Sequence, residues 1–153
     1  MARKTTPTAD FSEIARLKAE VGDDVSFPEP WDGTLSDEER MTEVANRGLI
    51  PAGLKAYFRI MELWGIGEEE ASVLLGFDHR PTETEIGIDP LKRISHTLGI
   101  YRALNTLLAQ ESANAWVKQP NTAGLFGGRP ALELLKTGTH GFEQVRNYLM
   151  AAI

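Results

Sequence analysis

The sequence predicts an all-α fold: a helix-turn-helix-like helical domain followed by a small C-terminal helical hairpin domain. Apolar residues recur at spacings of three and four through most of the chain, the period of a helix with one buried face. No period-two run occurs, nor any hairpin dipeptide between β-branched segments. Helix starts and stops are also written in, as Ser or Asp followed three residues later by Glu, and as glycines beyond the apolar stripes.

Residues 1–9, rich in threonine, read as a frayed arm. Asp10 with Glu13 makes a capping-box pair, and Phe11, Ile14, Leu17 and Val21 follow at helical spacing, which predicts a short helix over 11–20. Pro28 and Pro30 stop any helix in the acidic stretch 22–34, a linker with Trp31 as its anchor on the body. Ser36 with Glu39 opens the next helix, where Met41, Val44 and Ala45 form the apolar stripe and Gly48 the stop. Pro51 starts another, whose core stripe is Leu54, Tyr57, Phe58, Met61 and Trp64; Gly65 and Gly67 end it.

Glu68, Glu69 and Glu70 then sit in a first helical turn, where carboxylates complement the helix dipole. Ala71, Leu74, Leu75 and Gly76 look like the first helix and turn of a helix-turn-helix. The recognition helix expected over 80–86 supplies Arg80, Thr82 and Thr84 as candidate DNA contacts, while its Glu83 and Glu85 would repel phosphates. A break at 87–90 leads to a long helix over 90–110. Its stripe is Leu91, Ile94, Leu98, Tyr101, Leu104 and Leu108, with Lys92, Arg93 and Arg102 as a solvated basic patch. Lys92 and Arg93 complete the candidate DNA-binding set.

Ser112 or Asn114 begins a short helix carrying Trp116, expected to be a buried anchor on the stripe of Ala113 and Val117. A loop through Gly124 and Phe126 reaches Gly127, Gly128, Arg129 and Pro130, the proline suiting a first helical position. Leu132, Leu134 and Leu135 form one short helix, Gly138 its left-handed stop, and Phe142, Val145, Leu149 and Ile153 the stripe of the last. The organisation expected is an arm, short helix and acidic linker over 1–36, a helix-turn-helix-like domain over 37–110 and a binding domain over 111–153.

The net charge of −6 is unevenly spread. Residues 1–40 carry ten acids and five bases and residues 41–111 ten acids and seven bases. Residues 112–153 carry Glu133 and Glu143 against Lys118, Arg129, Lys136 and Arg146, a net of +2. Phosphate backbones attract basic faces, so the first two blocks are poor DNA binders as isolated monomers, whereas the tail suits an anionic partner surface. The absence of cysteine excludes disulfides and thiol catalysis and fits a reducing cytoplasm. No apolar run approaches a membrane span, and the N-terminus is not a signal peptide. His79, His96 and His140 lack the spacing of a zinc helix, and no nucleophile elbow, P-loop or dinucleotide fingerprint occurs. The expectation is a cytoplasmic protein that is not an enzyme and needs neither cofactor nor metal.

The ordered set Trp116, Pro120, Asn121, Gly127, Gly128, Pro130, Leu134, Leu135, Val145 and Leu149 resembles the toxin-binding domain of the Xre, MbcA and ParS antitoxins, partners of RES-type toxins. The resemblance implies a stoichiometric inhibitor that covers the active site of a cognate RES-type, NAD-consuming toxin and represses its own operon by binding operator DNA as a homodimer. The inhibitory surface expected is the tail 129–153, with Asn121, Gly127, Gly128, Arg129, Arg146, Tyr148 and the chain end at Ile153 as toxin contacts. On the last helix, Phe142, Val145 and Leu149 would dock inward while Arg146 and Tyr148 project. A stand-alone helix-turn-helix regulator and an interaction module without DNA binding stay open beside it.

Overall fold

Ser36 begins the first helix as its sequence dictates. Its N–H donates to Glu39 Oε1 at 2.8 Å while the Glu39 N–H donates to Ser36 Oγ at 3.1 Å, so two otherwise orphaned donors are satisfied. The computed structural model describes residues 36–46 and 48–153; the short helix expected over 11–20 and Trp31 lie outside them. Among the described residues the fold is all-α, with helices α1 (Asp37–Asn46), α2 (Leu49–Leu63), α3 (Glu68–Leu75), α4 (Ile88–Leu107), α5 (Gln110–Trp116), α6 (Ala131–Leu135) and α7 (Thr139–Met150).

The α1 stripe is narrower than expected, since Val44 is buried and Met41 half-buried but Ala45 is exposed. Helix α2 begins at Leu49, ahead of Pro51, which still falls in the first turn where a missing N–H breaks no bond. Leu54, Tyr57, Phe58, Met61 and Trp64 are all buried, as their spacing predicted. The Tyr57 hydroxyl donates to the Ala71 carbonyl at 2.7 Å and ties α2 to α3, and burial holds its phenol well above the ordinary tyrosine value.

No recognition helix forms over 80–86. A single 3-10 turn, Glu83–Glu85, stands there instead, with Thr82 and Glu85 as a capping box in which the Thr82 N–H donates to Glu85 Oε1 at 2.8 Å. Pro81 offers no N–H, and threonine competes for backbone donors at a cap rather than inside a helix. Ile86, buried, then leads into α4.

Helix α4 is the axis of the molecule. It starts at Ile88, before Pro90, and packs on α1, α2, α3, α5 and α7. Leu91, Ile94, Leu98, Tyr101 and Leu104 are buried as expected, but so are Ser95, His96, Thr97, Ile100 and Ala103 on the other faces; Leu108, at the helix end, is exposed. Arg93 and Lys92 are not a solvated patch. Arg93 donates from Nε to Thr139 Oγ1 at 2.8 Å, from Nη1 to the Leu74 carbonyl at 2.9 Å and from Nη2 to Asp89 Oδ2 at 3.1 Å. Thr139 in turn donates to Asp89 Oδ1 at 2.8 Å, so one guanidinium joins the end of α3, the start of α4 and the start of α7.

Helix α5 starts at Gln110, earlier than Ser112, and Pro130 is the N-cap of α6 rather than its first helical residue. Gly138 has φ +116° and ψ −165°, an extended mirror conformation leading into α7 rather than a left-handed helix stop. Phe142, Val145 and Leu149 are core, whereas Ile153 lies beyond the helix and is exposed. One hydrophobic cluster runs from Val44 to Leu149.

The α6–α7 corner closes on Gly141, where a Cβ would stand 1.8 Å from the Leu134 carbonyl oxygen. The Leu134 backbone cannot step aside as the end of a flexible side chain could, and Thr137 Oγ1 crowds the same point at 2.5 Å, so Gly141→Ala is expected to cost about 3 kcal/mol in urea unfolding. An unchanged midpoint would show that the corner opens freely.

His96 gives a second expectation. Burial, and then the charges of Arg146 and Lys92, push its imidazole down from 6.5 to about 4. Between those values the unfolded chain binds a proton that the folded protein refuses. The contribution is therefore complete above pH 6.5 and falls by about 3 kcal/mol as the pH drops through 4. Urea midpoints at pH 7 and pH 4.5 should differ less in His96→Gln than in the natural chain.

Candidate functional site

The segment between α5 and α6 turns on its own backbone. Asn121 N–H donates to the Arg129 carbonyl at 3.2 Å, and Gly128 N–H returns to the Asn121 carbonyl at 2.8 Å, beside a bridge between Pro120 and Pro130. The Asn121 side chain accepts from the Ala123 N–H at 2.9 Å and starts the loop with an Asx turn. Gly127 and Gly128, at φ +59° and +88°, bring the chain back to that neck, a path that side chains with a Cβ rarely follow. Beneath it, Leu132 N–H donates to the Val117 carbonyl at 3.0 Å, and Lys118 Nζ donates to the Gly65 carbonyl at 3.0 Å. The loop is therefore clamped to α6 and to the corner between α2 and α3.

The clamp carries Phe126 inward and assembles three rings. Phe126 meets Trp116 edge-on at 5.7 Å between centroids and Tyr148 edge-on at 5.1 Å, while Trp116 and Tyr148 stack at 6.4 Å. Phe126 is buried, Trp116 half-buried rather than the fully buried anchor expected, and Tyr148 is 38% exposed. Leu125 in the same loop is exposed to a similar degree, and Met150 (48%) and Ile153 (62%) stand open beyond Tyr148. The C-terminal segment thus holds exposed apolar side chains as well as an aromatic cluster. Trp116 and Tyr148 were visible as residue types, but Phe126 joins them only through the loop path.

Of the other predicted contacts, Arg129 is exposed beside the neck and Asn121, Gly127 and Gly128 build it. Arg146 does not project as expected: its neighbours on α4 and α7 leave it 8% exposed. The expected DNA contacts are each set against a partner within the fold. Arg80 lies 3.5 Å from Glu68 and 4.2 Å above the Phe58 ring, Thr82 and Thr84 hydroxyls meet at 3.1 Å, Lys92 pairs with Asp37 at 3.0 Å, and Arg93 makes the three bonds described above. His79 bridges Asp78 at 2.7 Å and Glu85 at 3.0 Å; hydrogen bonds to those two carboxylates raise its affinity for a proton. No helix among the described residues is long and apolar enough to cross a membrane.

An all-α fold ending in a clamped loop, an aromatic cluster and a core-docked last helix is the arrangement of a binding protein. Residues 103–152 of the chain match the model of the antitoxin Xre/MbcA/ParS C-terminal toxin-binding domain and so carry the toxin-binding domain of that antitoxin family. It is also similar to the uncharacterized protein y4oB of Sinorhizobium fredii (strain NBRC 101917 / NGR234), 33% identical over 111 residues that make up 67% of this chain and 84% of that protein. No solved structure matches. The matched domain gives the protein a role in a toxin–antitoxin system, with a toxin as partner.

Trp116→Ala removes two ring contacts and a half-buried side chain, which together should lower stability by about 2 kcal/mol. Denaturation followed by circular dichroism measures it; a midpoint equal to that of the natural chain would mean that the cluster does not hold the loop.

Proposed function

We propose that this protein is a stoichiometric antitoxin that binds and blocks the active site of a RES-type, NAD-consuming toxin through its C-terminal end. The observation that carries the reading is the cluster Trp116, Phe126 and Tyr148, with Leu125 and Met150 exposed in the same segment, which matches the toxin-binding domain, and Ile153 exposed just beyond it. Aromatic anchors held rigid by the rest of a fold concentrate binding energy at little entropic cost. Asn121, Gly127 and Gly128 then act by shaping the loop, and Arg129, Tyr148 and Ile153 by touching the toxin. Inhibition of this kind requires no catalysis and no cofactor of the antitoxin, and its place is the cytoplasm.

Repression of its own operon as a homodimer is the second half of the family's behaviour. The internal partners of Arg80, Lys92 and Arg93 and the missing helix over 80–86 weigh instead toward an interaction module without DNA binding.

Cutting the chain at Gly141 would remove Phe142, Val145 and Leu149 from the core, so the test uses gentler changes. Tyr148→Ala, and a chain ending at Met150, should keep the melting temperature within a few degrees yet fail to rescue growth when a cognate RES-domain toxin is co-expressed. If both protect cells as well as the full chain does, the toxin is held by another surface.

A further inference from the structure

Arg146 is the one residue of the C-terminal segment whose position conflicts with its charge. It is 8% exposed, its Nε is enclosed with no acceptor, and it makes no hydrogen bond or ion pair among the described residues. Glu143, one turn earlier on α7, lies 3.8 Å from His140 and does not pair with it. Across the seam on α4 stands His96, 3% exposed, whose Nδ1 is likewise enclosed and without a partner, and whose charge state responds to Arg146 and to Lys92. Lys92 is already taken by Asp37 at 3.0 Å.

Nε is the part of the guanidinium that is enclosed, so the Nη groups keep an edge open to a partner, and a largely buried charge without a counter-ion is unfavourable until one arrives. The sum of charges says what arrives. Lys92 is neutralised by Asp37 and the imidazole is uncharged at neutral pH, so one positive charge stands uncompensated, and a monoanion balances it. A dianionic phosphate would leave an excess. A planar carboxylate also matches the guanidinium fork, with the imidazole as a further hydrogen-bonding group at the side.

We infer that Arg146 and His96, at the seam of α4 and α7, form a carboxylate-binding site that an Asp or Glu side chain of the toxin completes. The inference rests on the toxin-binding reading above and supplies the chemistry of a second contact, on a different flank of α7 from Tyr148. The toxin is favoured as donor because Arg146 lies within the matched segment 103–152 and because residues 112–153 are the net basic block of an acidic chain.

Acetate is the probe. Proton–nitrogen correlation spectra of the full chain, titrated with sodium acetate against sodium chloride at equal ionic strength, should show saturable shifts of the Arg146 Nε–H and the His96 ring with acetate alone. Arg146→Lys keeps the charge but loses the fork and should weaken the response about tenfold. Arg146→Met should abolish it at His96 and, by removing an unpaired enclosed charge, raise the melting temperature. Equal shifts with chloride, a lower melting temperature in Arg146→Met, or a stronger response to inorganic phosphate would each overturn the assignment. Conversion of a dimer to a monomer by Arg146→Met would hand the carboxylate to a second copy of this chain and remove the toxin from it. None of these results touches the growth rescue by Tyr148 and the chain end, so the two readings fail separately.

Discussion

Helix α4 must be buried on nearly every side, and that constraint organises the rest. Its sequence has apolar residues on one broad face and Ser95, His96, Thr97 and Asn105 elsewhere, yet α1, α2, α3, α5 and α7 close around it. Part of the polar load is discharged along the helix itself, as when Thr97 Oγ1 donates to the Arg93 carbonyl at 2.8 Å and Asn105 Nδ2 to the Tyr101 carbonyl at 2.8 Å. Arg93 spends its donors on the helix ends around it, where orphan carbonyls and a hydroxyl are available. Not all of it is discharged: Ser95 Oγ and His96 Nδ1 on α4 and Arg146 Nε on α7 are enclosed without a hydrogen-bond partner.

The same economy explains why the basic residues of the middle block are poor candidates for phosphate contacts. Acids lie close to them in space, whether near or far in sequence: Asp37 reaches Lys92, Glu68 reaches Arg80 and Asp89 reaches Arg93. An exposed ion pair adds little stability, but it does screen the cation from a more distant anion. The C-terminal block has few acids to do this, which leaves Arg129 open at the surface.

At that end, the side chains proposed above to meet the toxin also hold the fold together. Pro120, Asn121, Gly127 and Gly128 form a neck of backbone hydrogen bonds, and its effect is to seat Phe126 between Trp116 and Tyr148. A rigid aromatic face then costs little entropy when a partner covers it. The motif by which the family is known is therefore, in this chain, largely the covalent recipe for a loop.

The all-α class, the Ser36–Glu39 cap, the α2 stripe from Leu54 to Trp64 and the inward face of α7 were legible because each depends on residues within a turn or two of one another. So was the family, since its ordered residues lie along one stretch. Helix starts shifted where a proline is tolerated anywhere in a first turn, as at Pro51 and Pro90. The helix over 80–86 failed because Pro81 and the Thr82 cap outweigh a motif pattern. What the sequence could not disclose were the relations between distant residues: Arg93 with Leu74 and Thr139, Phe126 with Trp116 and Tyr148, and Arg146 against His96. Helical periodicity assigns each residue a direction on its own helix, but whether a charge facing that way meets water, an acid or another helix is decided by which elements pack there, and that packing is settled only when the whole core closes.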